Sequence, residues 1–354
     1  MNFEYRNKRI SGILTVLPQN EIMFEDEIEN YNFSRAKSLR LKKAMGYNKR
    51  RIVKDGVCSS DLSVYGMNYL FKNDLLKKNE IDALVFVSQS PDQFMPPTSN
   101  IIQGELELKH DMLCLDINQG CAGYLIGIQQ AFMLLNQESI KKVVLINADV
   151  LSPKVSKRDR NSNPLIGDAA SITILENTES KNKIFFSMKM DGAGAKVLQI
   201  PAGGFRMPSS EETAIMTEDG SGNFRSLNNL VMQGDKVFNF VLTEVPLIVD
   251  EVLKNSEQLK EEIDYYFCHQ PNRFILNKLA DKIGVDRVKM PSNIVENFGN
   301  ASGVSIPTNI SFNLNSDLEK NSYNVCLSGF GVGLTWGAMI MKLGNLDFNR
   351  IVEF

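Results

Sequence analysis

A cysteine, a histidine and an asparagine in this sequence stand at predicted turns, where their side chains could take part in covalent catalysis. Cys121 follows a strand-like apolar run, residues 112–118, and stands at the start of a helix-like apolar run, residues 121–136. The positive end of a helix dipole favours the thiolate form of a cysteine, so this position suits a nucleophile. A buried cysteine that only fills space is the alternative role for a thiol in such apolar surroundings.

His269 and Asn300 could supply the hydrogen-bonding and acid–base groups that such a nucleophile requires. His269 ends a strand-like run at residues 263–270, and α/β folds bind their ligands at the C-terminal ends of strands. The only other histidine, His110, has a loop-like context and no predicted role. Asn300 lies in a Gly-Asn-Ala-Ser turn, where its amide could cap a helix or donate a hydrogen bond to an oxyanion.

The elements that must position these residues alternate between strand-like and helix-like patterns. This alternation predicts an α/β protein with buried, largely parallel strands. A strand–turn–helix pattern at residues 112–136 is followed by a similar one at residues 263–283, each with a reactive residue at its turn. The sequence therefore predicts two similar halves, residues 1–180 with the cysteine and residues 181–354 with the histidine and the asparagine.

The composition limits both the class of protein and its chemistry. Of the 354 residues, 43% are hydrophobic and 23% charged, as in ordinary globular proteins. The net charge of -3 argues against general nucleic-acid binding, and no apolar run reaches the roughly 18 residues that a membrane span needs. Five cysteines without a CxxC spacing predict free thiols and no metal site. Free thiols, and a start without a secretory pattern, predict a cytoplasmic protein.

Charge is unevenly distributed near the N-terminus. Residues 21–29 carry five acidic side chains and no basic one, whereas residues 34–51 carry eight lysines or arginines and no acidic one. The basic run fits a solvated helix face, and it fits a docking surface for an acidic or phosphate-bearing partner equally well. Both interpretations stay open at this point.

The motifs around the reactive residues resemble those of the ketoacyl-acyl carrier protein synthase III enzymes, a family with the thiolase fold. The matching segments are GCAGYLIGI around Cys121, CHQPNRFI around His269, FGNASGVSIP around Asn300, and GFGVGLTWGA at residues 329–338. Two intervening segments, IGDAASITIL and VMQGDKVFNFVLTEVP, also match, and all of them follow the family's order. The resemblance implies two similar βαβαβ-type halves packed as a five-layer αβαβα sandwich.

The resemblance also implies a role for each reactive residue. Cys121 would be acylated by an acyl-CoA, with its own backbone N–H and that of Val332 as the oxyanion hole. His269 and Asn300 would hydrogen-bond to the malonyl thioester of acyl carrier protein and stabilise the enolate that forms as carbon dioxide leaves. The carbanion would then attack the acyl-cysteine and give a β-ketoacyl thioester. No metal or redox cofactor would be needed, only the CoA and phosphopantetheine thioesters as substrates.

Further residues match the family's substrate contacts. Arg160 would contact the CoA nucleotide, Asn272 would support the active site, and Phe238 would contact the substrate. Phe94 and Met95 match a loop that reaches into the partner's acyl pocket in the family's homodimers. The resemblance thus implies acyl-CoA, malonyl-acyl carrier protein and a second copy of the chain as partners.

The chain departs from the family's pattern at two positions. The tryptophan that relatives carry near the N-terminal basic helix is missing, since the only one here is Trp336. Asp235 stands where relatives often have asparagine. Both differences predict altered contacts to CoA.

Related functions fit the sequence less well. A thiolase would use a second cysteine in the C-terminal glycine-rich segment, but Cys326 lies too early and in a core-like strand. A 3-hydroxy-3-methylglutaryl-CoA synthase would need a glutamate before the nucleophile, and the stretch VFVSQSPDQFMPP contains none. A non-decarboxylative acyltransferase with the same cysteine and histidine, and a non-catalytic acyl-binding subunit, remain as alternatives. Asn300 favours condensation over simple acyl transfer, and the presence of Cys121, His269 and Asn300 together argues against a non-catalytic subunit.

Overall fold

Most strands belong to two β-sheets in the computed structural model, which describes residues 1–354. Strands and helices are numbered in chain order. The six-stranded sheet contains β2 (Lys8–Leu17), β5 (Ala83–Val87), β6 (Leu113–Ile117), β7 (Lys142–Asp149), β8 (Ala169–Asn177) and β17 (Phe348–Glu353). The five-stranded sheet contains β1 (Asn2–Arg6), β9 (Lys183–Met190), β14 (Tyr265–Cys268), β15 (Ser322–Gly331) and β16 (Thr335–Gly344). Three short pairs complete the strands: β3 (Glu21–Met23) with β4 (Lys49–Arg51), β10 (Leu198–Gln199) with β13 (Val231–Met232), and β11 (Thr217–Glu218) with β12 (Phe224–Arg225).

Nine α-helices connect these strands. They are α1 (Phe24–Glu27), α2 (Arg35–Met45), α3 (Ser59–Lys72), α4 (Thr98–Glu105), α5 (Gly123–Leu134), α6 (Gly234–Ser256), α7 (Arg273–Ile283), α8 (Ile294–Phe298) and α9 (Ser305–Leu314). None of them combines the length and the apolar character that crossing a membrane requires.

The helices and sheets stack in five layers, and buried apolar side chains join each layer to the next. Helices α5 and α9 lie between the two sheets, where Tyr124 and Ile310 belong to a core shared with strands of both. Helices α3 and α4 cover the outer face of the six-stranded sheet through residues such as Leu62. Helices α6 and α7 cover the outer face of the five-stranded sheet through residues such as Val249. The predicted αβαβα sandwich is confirmed.

Both large sheets are mixed, so the prediction of largely parallel strands is wrong. Of their nine strand pairs, four are parallel and five are antiparallel. Strands β15 and β16 turn back through residues 332–334, and the loop at residues 150–168 returns β7 to β8 without an α-helix. Such direct returns produce antiparallel pairs, whereas parallel pairs need a crossover. Apolar runs show that a strand is buried but not which way its neighbour runs.

The chain passes from the six-stranded to the five-stranded sheet between Asn177 and Lys183, next to the predicted boundary of the halves. The terminal strands exchange sheets. Strand β1 pairs with β9, and β17 pairs with β2. Neither predicted half, residues 1–180 or 181–354, therefore contains its whole sheet, and the division into halves stays a prediction.

Ion pairs with the acidic run neutralise much of the basic run around α2. Five pairs join the two runs: Arg35 with Glu29, Lys42 with Glu25, Lys49 with Glu21, Arg51 with Glu21, and Arg50 with Glu27. Lys37, Arg40 and Lys43 make no ion pair and are exposed. The surface that could dock an acidic partner thus narrows to these three residues of α2, and such docking stays a prediction.

Candidate active site

Cys121 lies in the turn between β6 and α5 and lines a cavity of 790 Å³. Two glycines let α5 pack directly against the six-stranded sheet. A Cβ on Gly123 would lie 2.7 Å from Cγ1 of Val87. A Cβ on Gly127 would lie 2.5 Å from Cδ1 of Leu145. The glycine spacing in GCAGYLIGI therefore allows the close approach of helix to sheet that places the thiol.

His269 follows β14 and is oriented by a serine. Its Nδ1 lies 2.8 Å from Oγ of Ser305, which also accepts a hydrogen bond from the backbone N–H of Gln270 at 3.3 Å. The Ser305 hydroxyl can donate its hydrogen to Nδ1, and this contact is compatible with the tautomer that carries the proton on Nε2. Burial lowers the pKa of His269 to about 4, and a hydrogen bond with the Ser302 backbone opposes the shift. His269 is thus a neutral imidazole at physiological pH.

Asn300 is fixed between α8 and α9 by its own backbone and side chain. Its backbone N–H donates to the Leu165 carbonyl at 2.7 Å, and its Oδ1 accepts from the backbone N–H of Ser302 at 2.9 Å. The preceding Gly299 has a φ of +80°, and a Cβ there would lie 2.8 Å from the backbone nitrogen of Gly167. Asn300 lines the cavity, and its amide NH2 group keeps its donors free for a ligand.

Burial dominates the electrostatics of the nucleophile and raises the pKa of the Cys121 thiol to about 11. Hydrogen bonds from the backbone N–H of Val332, the Ser302 hydroxyl and the cysteine's own N–H oppose this shift, while the carboxyl group of Asp149 adds to it. The thiolate stabilisation that the helix dipole was expected to supply is therefore outweighed by burial. The backbone N–H groups of Cys121 and Val332 nevertheless lie next to the sulfur, where an oxyanion hole for a thioester attacked by that sulfur needs its donors.

The rate at which iodoacetamide alkylates Cys121 is expected to rise about tenfold per pH unit between pH 7 and 9. Only the thiolate reacts, and at pH values below the pKa of the thiol the thiolate fraction increases about tenfold with each pH unit. The nearby His269, with a pKa of about 4, does not titrate in this range. Peptide mapping separates Cys121 from the other four cysteines, all of which are free. A rate that is already constant above pH 7 would show that the helix dipole outweighs burial.

Strand β15 passes so close to Cys121 that only glycine fits at Gly331. A Cβ there would lie 2.5 Å from Cβ and 2.7 Å from Sγ of Cys121. The substitution Gly331→Ala is therefore expected to displace the thiol and to slow its acylation by an acyl-CoA about 100-fold, the typical effect of a 1 Å misplacement. The measurement is the rate at which the protein gains the mass of an acyl group.

The matched control for Gly331→Ala is Gly104→Ala in α4, where a Cβ would meet no atom within 4 Å. This variant should be acylated as fast as the wild type, since alanine also has the higher helix propensity. Wild-type acylation of Gly331→Ala would contradict the close packing of β15 on the nucleophile.

Three of the predicted substrate-binding residues line the same cavity as the reactive residues: Arg160, Asn272 and Phe238. Asn272 also caps α7, because its Oδ1 accepts from the backbone N–H of Ile275 at 2.9 Å. Phe238 stacks on Phe274 with ring centres 5.8 Å apart. The cavity thus offers an apolar wall and two polar side chains beside the reactive groups.

Phe94 and Met95 do not line the cavity. They are 71% and 79% exposed, and the ring of Phe94 lies 5.3 Å from that of Phe205, which is also exposed. Within one chain, therefore, these two predicted residues lie apart from the other candidates. They form an apolar patch on the surface instead.

Three further residues contribute to the site without having been predicted from the sequence. Phe33 stacks under the guanidinium group of Arg160, whose Cζ lies 4.6 Å from the ring centre. The sequence signal for Phe33 is an aromatic residue next to the start of the basic helix. Trp336, the only tryptophan, does not take this place, since it is buried against Phe240 and does not line the cavity. The other two, Ser302 and Ser305, lie in the FGNASGVSIP segment. The backbone N–H of Ser302 donates to Oδ1 of Asn300, and the Ser305 hydroxyl contacts Nδ1 of His269.

The remaining candidates for chemistry lie away from the cavity. Cys326 is buried in the middle of β15 and does not line the cavity, so it is not placed as the second cysteine of a thiolase. No group of three or more histidine, cysteine, aspartate or glutamate side chains is arranged to hold a metal ion.

Comparison with known proteins gives consistent matches over the whole chain. The family model described as 3-oxoacyl-[acyl-carrier-protein (ACP)] synthase III matches residues 115–194, and the model of its C-terminal part matches residues 253–343. The chain is 33% identical over 360 residues to a Campylobacter jejuni protein named provisionally as a 3-oxoacyl-[acyl-carrier-protein] synthase 3, covering 100% of this chain and 99% of that one. It is 32% identical over 300 residues to a β-ketoacyl-[acyl-carrier-protein] synthase III of Streptococcus mutans, covering 84% of this chain and 88% of that one.

The fold comparison agrees. The crystal structure of a 3-oxoacyl-(acyl-carrier protein) synthase from Burkholderia xenovorans LB400 superposes with a TM-score of 0.92 at 32% identity, covering 100% of this chain and 99% of that one. The structural similarity therefore extends over the full length of the chain, including the segments that surround the cavity.

Proposed function

This chain belongs to the 3-oxoacyl-[acyl-carrier-protein] synthase III family, and we propose that Cys121, His269 and Asn300 carry out the family's reaction in it. The enzyme catalyses the decarboxylative condensation of an acyl-CoA with malonyl-acyl carrier protein, which gives a β-ketoacyl-acyl carrier protein. One observation supports the residue roles above all. The three side chains line one cavity, and the backbone N–H groups of Cys121 and Val332 lie next to the sulfur of Cys121.

In the first half-reaction the sulfur of Cys121 attacks the thioester carbonyl of the acyl-CoA. The new C–S bond forms, the bond to the CoA sulfur breaks, and the departing CoA thiolate takes up the proton that the cysteine released. The N–H groups of Cys121 and Val332 hold the oxyanion of the tetrahedral intermediate. The resting thiol has a pKa of about 11, so stabilisation must be concentrated on the transition state.

In the second half-reaction His269 and Asn300 donate hydrogen bonds to the thioester carbonyl of the malonyl group. As carbon dioxide departs, the electron pair of the broken C–C bond enters an enolate whose oxygen these donors stabilise. The carbanion attacks the acyl group and Cys121 leaves as the thiolate. A pKa of about 4 suits His269 to this role, because a neutral imidazole with Nε2–H donates a hydrogen bond without first binding a proton. All reacting groups come from the chain and the two thioesters, so the proposal includes no metal or redox cofactor.

The proposal includes a homodimer and a cytoplasmic location. Phe94, Met95 and Phe205 form an apolar surface patch that would be costly to expose in a monomer, and a second copy would cover it. Sedimentation should then give twice the chain mass of 39.8 kDa, and a species of 39.8 kDa alone would oppose the dimer. The free cysteines fit a reducing compartment.

The experiment that tests the proposed function is reconstitution with acetyl-CoA and malonyl-acyl carrier protein, followed by the intact mass of the carrier protein. The expected product carries a β-ketoacyl group, and carbon dioxide is released in equal amount. A carrier protein that gains acetyl without release of carbon dioxide would instead show a non-decarboxylative acyltransferase. No change in the carrier protein would oppose catalysis of either kind.

A further inference from the structure

The β11–β12 hairpin lies beside Arg160 at the cavity and holds its guanidinium group. Nη1 of Arg160 donates to the Ser221 carbonyl at 2.7 Å and to Oδ1 of Asn223 at 2.9 Å. The same Oδ1 accepts from the backbone N–H of Arg160 at 3.3 Å. Asn223 is fully buried, so this amide contacts Arg160 rather than solvent.

The tip of the hairpin fixes the Asn223 amide. Nδ2 of Asn223 donates to Oδ2 of Asp219 at 2.8 Å, and its backbone N–H donates to Oδ1 at 3.1 Å. Arg225 pairs with the same Asp219 at 2.6 Å and with Asp159 at 2.9 Å. Asp159, which precedes Arg160 in the chain, is therefore neutralised by Arg225 of the hairpin and not by Arg160.

Arg160 consequently keeps an unpaired positive charge at the cavity. Both of its hydrogen-bond partners on the hairpin are neutral oxygens, and it makes no ion pair. Phe33 supports one face of the guanidinium group. A planar cation that is stacked, oriented and free of carboxylates is suited to bind the phosphate groups of a ligand.

We infer that the β11–β12 hairpin, through Asn223, positions Arg160 toward the phosphate-bearing end of the acyl donor. It presents Arg160 so that a thioester whose pantetheine arm ends in a phosphorylated nucleotide is preferred over one whose arm has no phosphate. Asn223 is the positioning residue, since it acts through Arg160 and touches no substrate. The inference rests on the proposed function, because it concerns the acylation of Cys121.

The test compares two donors of identical thioester chemistry, acetyl-CoA and acetyl-pantetheine, in Asn223→Ala and the wild type. The readout is kcat/KM for acylation of Cys121, measured as acetyl mass gain. The variant is expected to lose about tenfold with acetyl-CoA, the equivalent of one hydrogen-bonded contact, and to keep the wild-type value with acetyl-pantetheine. An equal loss with both donors, or no loss with either, would overturn the inference.

Two further variants guard against a general effect on folding. Asn228→Ala removes an amide that follows the hairpin and contacts Ser209 and Thr213 instead of Arg160. This variant should leave acylation by both donors unchanged. The single variant Arg160→Ala should lose the preference for acetyl-CoA over acetyl-pantetheine. The double variant Arg160→Ala/Asn223→Ala should then show nearly the same kcat/KM values as Arg160→Ala. Additive losses would show that Asn223 does not act through Arg160. If neither donor acetylates wild-type Cys121, the proposed function itself fails, and the inference with it.

Discussion

Replacing Cys121 with alanine is expected to lower the rate of β-ketoacyl-acyl carrier protein formation by at least about 10⁴-fold, as loss of a covalent nucleophile does in other enzymes. Without the sulfur there is no acyl-enzyme for the carbanion to attack. The decarboxylation of malonyl-acyl carrier protein should persist, because His269 and Asn300 remain in place. The measurement follows both products, the β-ketoacyl and the acetyl carrier protein, by mass. Condensation at more than a hundredth of the wild-type rate would contradict the role of Cys121.

Cys326→Ala is the matched control for this variant. Cys326 is also buried, but it lies in the middle of β15, outside the cavity. We expect normal condensation and a loss of about 1 kcal/mol in the free energy of unfolding, the cost of a small cavity in the core. A comparable loss of condensation in both variants would mean that the effect of Cys121→Ala comes from packing.

Replacing His269 with alanine is expected to separate the two half-reactions. Decarboxylation of malonyl-acyl carrier protein should fall by about 10² to 10⁴-fold, because the enolate oxygen loses one of its two side-chain donors. Acylation of Cys121 should continue, since the N–H groups of Cys121 and Val332 supply the oxyanion hole for that step. Each half-reaction is measured alone, by release of carbon dioxide and by acyl mass gain.

His110→Ala is the control for the histidine variant, because His110 is exposed in a loop. It should leave both half-reactions unchanged. If His269→Ala lost acylation and decarboxylation to the same extent, the histidine would act as the base that activates Cys121. That result would contradict its assignment to the malonyl step.

The pH dependence of decarboxylation follows from the same assignment. A histidine with a pKa of about 4 is neutral above that pH, so the step should keep a constant rate from pH 6 to pH 8. The sequence alone could not have shown this, because the pKa of His269 is lowered by burial among residues distant in the chain, such as Ser305, which lies more than thirty positions further along. The raised pKa of the Cys121 thiol is hidden from the sequence for the same reason.

The three reactive residues could be predicted because short motifs surround each of them and repeat the family's pattern. The glycines of GCAGYLIGI, for example, already show where a helix can approach a sheet closely. The direction of the strands could not be predicted, since a strand buried on both faces has the same apolar pattern in either direction. The exchange of β1 and β17 between sheets depends on pairing over the full length of the chain.

The binding residues were only partly predictable. Arg160 was found by its place before the IGDAAS segment. Its partner Phe33 lies 127 positions earlier, and the only signal for it is its place next to the basic helix. The hairpin that holds Arg160 lies between the family segments IGDAASITIL and VMQGDKVFNFVLTEVP, and no motif marks it in the sequence. Its role became visible only through the hydrogen bonds of Asn223.

The most direct test of the central claim is the intact mass of the enzyme after incubation with a series of acyl-CoAs, with Cys121→Ala as the control. We predict a gain of one acyl group per chain in the wild type and none in the control. The wild type should lose the acyl group again when malonyl-acyl carrier protein is added. An unmodified wild-type protein with every acyl-CoA, or the same mass gain in Cys121→Ala, would contradict the claim that Cys121 is the nucleophile of a condensing enzyme.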